Sequence, residues 1–155
     1  MKKKGDKNND FQEFLSHLEY LGYETEPVDE DPEKNATAVH EKRPDLWVFK
    51  RPLGMGVSVT YRMGQNAVTY LCDYLKVLNQ LNRKSLVSTF YTDAGEGKAN
   101  VHICALYNAP YDKKSFSIFM DMFHQDHNDI GKVPEFDFYA EDGLVNVVPE
   151  TQQVS

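Results

Sequence analysis

Apolar residues recur at Val68, Leu71, Leu75, Leu78 and Leu81, spacings of three and four that stack them on one face of a helix. Asp73, Lys76, Asn79 and Gln80 fill the opposite side, which predicts one buried face and one wet face. Asn66 is placed to cap the start, its side-chain oxygen accepting an orphan amide of the first turn. Arg83 and Lys84 suit the negative end of the helix dipole. After a polar break the period changes. Leu86–Thr92 is rich in β-branched and aromatic residues, and Asp93–Gly97 has the glycine content of a hairpin loop. Ala99, Val101, Ile103, Ala105 and Tyr107 then alternate along a returning strand.

The same reading applies along the rest of the chain. Asp10 and Glu13 match a capping box ahead of an apolar stripe at Phe11, Phe14, Leu15, Leu18 and Leu21, and Gly22 supplies the stop. Tyr23–Val28 fits a short edge strand. Residues 24–33 carry six carboxylates and two prolines, the composition of a solvated loop. Leu46–Lys50 reads as a strand, and Val57, Val59, Tyr61 and Met63 alternate along the next, joined by a turn over Arg51–Gly56. Asp112 caps a third helix whose face is Phe116, Phe119, Met120, Phe123 and His127, widened by Ile118 and Met122. Phe136 and Phe138, then Leu144–Val148, predict a terminal hairpin or an arm onto a second subunit. The expected fold is α+β: an antiparallel sheet with flanking helices in the order α-β-β-α-β-β-α. The domain division expected is a disordered basic tail over 1–9, one domain over 10–130 and an extension over 131–155.

Composition narrows the function classes. With 155 residues the chain holds one domain and a real core. A net charge of −7 disfavours a surface that tracks phosphates, so no nucleic-acid partner is expected; the Lys2–Lys4 run reads as a solvated tail. No apolar run approaches the ~20 residues of a membrane span. Cys72 and Cys104 sit on apolar-patterned elements and behave as small hydrophobes, which points to a reduced, cytoplasmic protein.

Catalytic chemistry finds little support. His124 and His127, three apart with Asp126 and Asp129 close by, are weak candidates for a metal site on the third helix, and a solvated helix end explains them better. The run Asp126–Asp137 misses the calcium-loop spacing, since Ile130 stands where an oxygen ligand belongs. Arg51–Gly56 leads into a strand and lacks the Lys-Ser/Thr ending of a phosphate loop. His102 reads as a plain strand position. No cofactor is expected, and an enzyme using the Asp/His-rich end of the third helix is the alternative rather than the main reading. The stronger signal is aromatic: Trp47, Phe49, Tyr61, Phe90, Tyr91 and Tyr107 all fall on predicted strands. Those on an uncovered sheet face would form a protein-binding patch, and the others fill the core.

Phe14-Leu15 and Leu21-Gly-Tyr23, Leu78-Asn-Gln-Leu-Asn82, Asp93-Ala-Gly and Tyr111-Asp-Lys-Lys-Ser-Phe116 together resemble the YbjN-like proteins. These are bacterial proteins described as sensory transduction regulators, similar in fold to type III secretion chaperones. The resemblance spans about Asp10 to Asn128 and rests on pattern and element order. It implies a homodimer and a regulatory or chaperone-like role without catalysis. It offers no catalytic residues to carry over. The acidic stretch before Trp47 and the chain beyond Gly131 fall outside it.

Overall fold

The structure is a computed structural model that describes residues 9–93, 97–141 and 143–147. The elements are α1 (Asn9–Tyr20), β1 (Tyr23–Pro27), β2 (Asn35–His40), β3 (Leu46–Arg51), β4 (Gly54–Arg62), α2 (Gln65–Thr69) and α3 (Leu71–Lys84). There follow β5 (Ser88–Thr92), β6 (Val101–Tyr107), α4 (Lys113–Asn128), a 3-10 turn (Asp129–Lys132), α5 (Glu135–Ala140) and β7 (Val145–Val147). The expected α+β class holds. All pairings are antiparallel, in the order β1-β2-β3-β4-β6-β5, with β7 added to β4.

Alternation along the strands sorts the sheet into two faces. Met55, Val57, Val59 and Tyr61 of β4 and Val101, Ile103, Ala105 and Tyr107 of β6 point inward and are buried. Leu46 and Val48 of β3, Ala36 and Ala38 of β2 and Phe90 of β5 continue this inner face. The helices join it to form one core: Phe14 and Leu18 from α1, Tyr74 and Leu78 from α3, Phe116, Met120 and Phe123 from α4, and Phe136 from α5. Phe14, Tyr107 and Phe116 meet edge to face at 5.1–5.6 Å, a favourable geometry for aromatic rings.

Several expectations give way here. The expected single helix breaks at Tyr70 into α2 and α3. Its buried stripe is Tyr74, Val77, Leu78 and Leu81, while Leu75 and Cys72 are exposed. Tyr74 sets this phase, because its hydroxyl donates to the Ala99 carbonyl (3.2 Å) and its ring meets Tyr139 at 5.3 Å. Asn66 is not the cap. Its own amide is capped by the Glu141 carboxylate at 2.9 Å, and its side chain donates to the Phe138 carbonyl at 3.0 Å. Asp10 lies inside the first turn of α1. The edge strand expected over Tyr23–Val28 is present as β1 and takes in the start of the acidic stretch, whereas β2 was not expected at all. Ile118 is exposed. Phe136 and Phe138 lie on a helix, not a strand, with Phe136 buried and Phe138 exposed. The chain from 131 to 147 thus contributes α5 and β7 to the same core and sheet. Lys2–Lys4, the loop tip at 94–96, Asp142 and Val148 lie outside the described residues.

Two local devices finish the sheet. Asp112 caps α4 by accepting the Ser115 amide at 2.9 Å, as its sequence position predicts. The exposed edge of β5 is blocked: Asn82 of α3 accepts the Phe90 amide (2.7 Å) and donates to the Phe90 carbonyl (2.9 Å). A side-chain amide thus stands where a neighbouring strand would bind.

Candidate functional site

The His/Asp-rich end of α4 is built as structure. Asp126 is almost fully buried, and its carboxylate accepts three backbone amides that open β5: Leu86 (2.7 Å), Val87 (2.9 Å) and Ser88 (2.9 Å). His124 and His127 face the inner side of the sheet, and each meets a different tyrosine. The Tyr23 hydroxyl lies 3.5 Å from Nε2 of His124, and the Tyr61 hydroxyl shares a hydrogen bond with Nε2 of His127. Burial pushes the His124 imidazole down to about 4, helped by Arg43, His127 and His40, and it also lowers His127. Both tyrosine hydroxyls are pushed up to about 12, mainly by burial. Neutral imidazoles accepting phenol protons are the consistent arrangement. Among the described residues no three His, Cys, Asp or Glu side chains converge as a metal-ligand set. The weak metal candidates His124 and His127 each lie against a tyrosine ring, Tyr23 and Tyr61 respectively.

A third imidazole, His17, is buried between α1 and α4, with Nδ1 2.8 Å from the Tyr111 hydroxyl and Nε2 3.1 Å from the Ser117 hydroxyl. Both ring nitrogens are engaged. The network sits under a shallow cleft of about 500 Å³ and ties the two helices together.

The outer face of the sheet is different in kind. The same register that buries Val48 and Val57 turns Trp47, Phe49 and Arg51 of β3 outward, beside Ser58, Gly56 and Gly54 of β4. Across β4 stand Leu106, Cys104 and His102 of β6, then Thr89 and Tyr91 of β5. Val39 and Thr37 of β2 and Glu24 and Glu26 of β1 complete the face. None of these apolar side chains packs against the core cluster. Val39, Tyr91 and Leu106 are exposed, Tyr91 to 46%, and Trp47 and Phe49 are half-buried. The six candidate aromatics therefore divide: Tyr61, Phe90 and Tyr107 fill the core, whereas Trp47, Phe49 and Tyr91 share the outer face.

The face is held in shape from within. The Phe49 ring lies over Gly56, where an added Cβ would come within 2.2 Å of it. His102 is fixed at both nitrogens, Nδ1 2.8 Å from the Thr60 hydroxyl and Nε2 3.1 Å from the Asp93 carboxylate, and Tyr91 stacks on its ring at 5.0 Å. Hydroxyl, imidazole and carboxylate in line resemble an acyl-transfer triad. Thr60 is only 2% exposed, on a strand paired on both sides, so its hydroxyl has neither access nor free amides for an oxyanion. The line orients Tyr91. Sequence reasoning named Trp47, Phe49 and Tyr91 but missed Val39 and Leu106; the Ala36/Ala38 against Thr37/Val39 alternation was the available signal.

An antiparallel sheet covered by helices on one side defines a two-layer α+β protein with an open face. Among solved structures the chain is similar to the crystal structure of YbjN, "a putative transcription regulator from E. coli". The two share 13% sequence identity over 77% of this chain and 87% of that one, with a TM-score of 0.58. At that identity the likeness is one of fold. No protein-family model matches the chain, and no curated protein matches it. No helix among the described residues is long and apolar enough to cross a membrane.

Proposed function

We propose that this protein is a non-enzymatic regulatory module that docks another polypeptide on the outer face of its sheet. One observation carries the reading: the helices cover one face, and the other presents Trp47, Phe49 and Leu106 near its centre with Val39 and Tyr91 towards its two flanks. Contiguous apolar surface rimmed by polar groups marks interaction sites, and aromatic anchors dominate their energetics. The rim is present in Glu24, Glu26, Arg51 and Arg62. The structural likeness to a protein described as a transcription regulator supports a regulatory role, with contact made through protein rather than nucleic acid because the chain carries a charge of −7. A chaperone-like role towards that polypeptide, performed by a homodimer, is the narrower form of the same proposal.

Trp47 is the sole tryptophan, so its fluorescence reports on this face directly. Trp47→Ala and Tyr91→Ala are each expected to weaken the partner complex by at least about tenfold, the cost of losing an anchor. Their far-ultraviolet spectra should match wild type. Unchanged affinity in both variants would remove this face from the interaction.

A further inference from the structure

The cleft between α1 and α4 has an ordered interior. His17 is its floor, engaged at both nitrogens by the Tyr111 and Ser117 hydroxyls. Tyr20 and Tyr111 line the cleft as upright rings, at 88° and 76° to the imidazole plane and 6.1 and 5.8 Å from its centre. Burial and then Lys113 hold the His17 imidazole below its ordinary range, so the floor is uncharged at neutral pH. Tyr20 is 79% exposed, and Lys113 Nζ stands over its ring 5.8 Å from the centroid.

Charge is placed at the two ends. Lys113 marks the Tyr20 end. Glu13 marks the Tyr111 end, where burial raises the phenol and Glu13 and Asp112 add to it. Asp112 is engaged at the Ser115 amide, which leaves Glu13 as the open carboxylate there. Among the described residues neither Glu13 nor Lys113 belongs to an ion pair. Glu13 and Tyr20 are seven residues apart on α1, a separation of about 10 Å along the helix. Ser16 supplies a hydroxyl between them. The volume of about 500 Å³ falls within the roughly 300–1,000 Å³ of small-molecule sites.

A cation and a carboxylate at opposite ends, with aromatic walls between them, select a ligand of complementary charge. A free amino acid carries both charges on one carbon and reaches one end only. An extended dipeptide spans about 7 Å, and the side chains of Glu13 and Lys113 close the remaining distance.

We infer that this cleft binds a zwitterionic dipeptide with an aromatic side chain, its amine on Glu13, its carboxylate on Lys113 and its ring against Tyr20 and Tyr111. Charge-assisted hydrogen bonds at the two ends fix its direction, and ring contacts supply the apolar part. The cleft lies in the helical layer, across the sheet from the outer face, so the inference stands apart from the docking reading.

Isothermal titration calorimetry of the full chain with L-alanyl-L-phenylalanine tests it. Saturable binding is expected, weakened about fivefold or more in the N-acetylated dipeptide, in the C-terminal amide and in L-alanyl-L-alanine. These comparisons need no variant. Glu13→Gln, Lys113→Gln and Tyr20→Ala replace exposed side chains and are each expected to weaken binding to a similar degree, with thermal melts as the control for folding. No binding at millimolar dipeptide, binding that survives the blocking of either charge, binding unchanged in all three variants, or tighter binding of free L-phenylalanine each overturns the inference.

Discussion

Asp126 shows how far a residue's meaning depends on what the fold brings to it. In the sequence it is one of several acids beside His124 and His127, with nothing to separate it from a metal ligand. In the fold it gathers the amides of Leu86, Val87 and Ser88 into a buried carboxylate. Asp126→Ala leaves three amides without their shared acceptor, that of Ser88 buried and those of Leu86 and Val87 partly so, and is expected to cost roughly 3 kcal/mol, read from urea denaturation. A loss below about 0.5 kcal/mol, the range of neutral surface changes, would contradict that role. The two histidines make a separate prediction about pH. Both have folded-state values below their unfolded value, His124 at about 4, so between there and the unfolded value near 6.5 the unfolded chain holds more protons. Stability is full above that window and falls as pH drops through it. Arg43 and His40 sharpen the fall by disfavouring a charged His124. His124→Gln should flatten the dependence of the urea midpoint between pH 7 and 5; an unchanged slope would show that His124 does not contribute. The tyrosine partners of these histidines were invisible in sequence because they lie 66 and 101 residues away.

Elements were legible where one period had no rival. The strand Val101–Tyr107 and the helix face Phe116, Phe119, Met120 and Phe123 are buried as their spacing predicts. Where two stripes overlapped, tertiary contacts chose between them. Leu71, Leu75 and Leu78 are at helical spacing, but so are Tyr74, Leu78 and Leu81, and the bond from Tyr74 to Ala99 selects the second set. Glu135–Ala140 supports both periods, alternating Phe136 with Phe138 and also placing Phe136, Tyr139 and Ala140 on one helical face. Pro134, pre-set for a helix start, tips it to helix. β2 escaped notice because its inward positions are Ala36 and Ala38, too small to signal a core. The clasp of Asn82 on Phe90 belongs to this scale. Asn82→Ala unmasks the β5 edge and is expected to cost about 1–2 kcal/mol and to promote association between copies. Thermal melts and light scattering check both effects, and a variant as stable and as monodisperse as wild type would contradict it.

At the scale of the molecule, the α+β layering could be read from the chain, but the division of faces could not. A register shift of one residue would exchange Trp47 and Val48 between surface and core, and only the pairing of β3 with β4 decides it. Three of the six aromatics then fill the core, and the other three mark an open face with a polar rim. This face is the account's central claim. Its most direct test is native mass spectrometry of the protein purified gently from its own source, as wild type and as a chain carrying Trp47→Ala, Phe49→Ala and Tyr91→Ala together. The account predicts a second polypeptide bound to the wild type and absent from the folded triple variant; a triple variant that keeps the same polypeptide would contradict it.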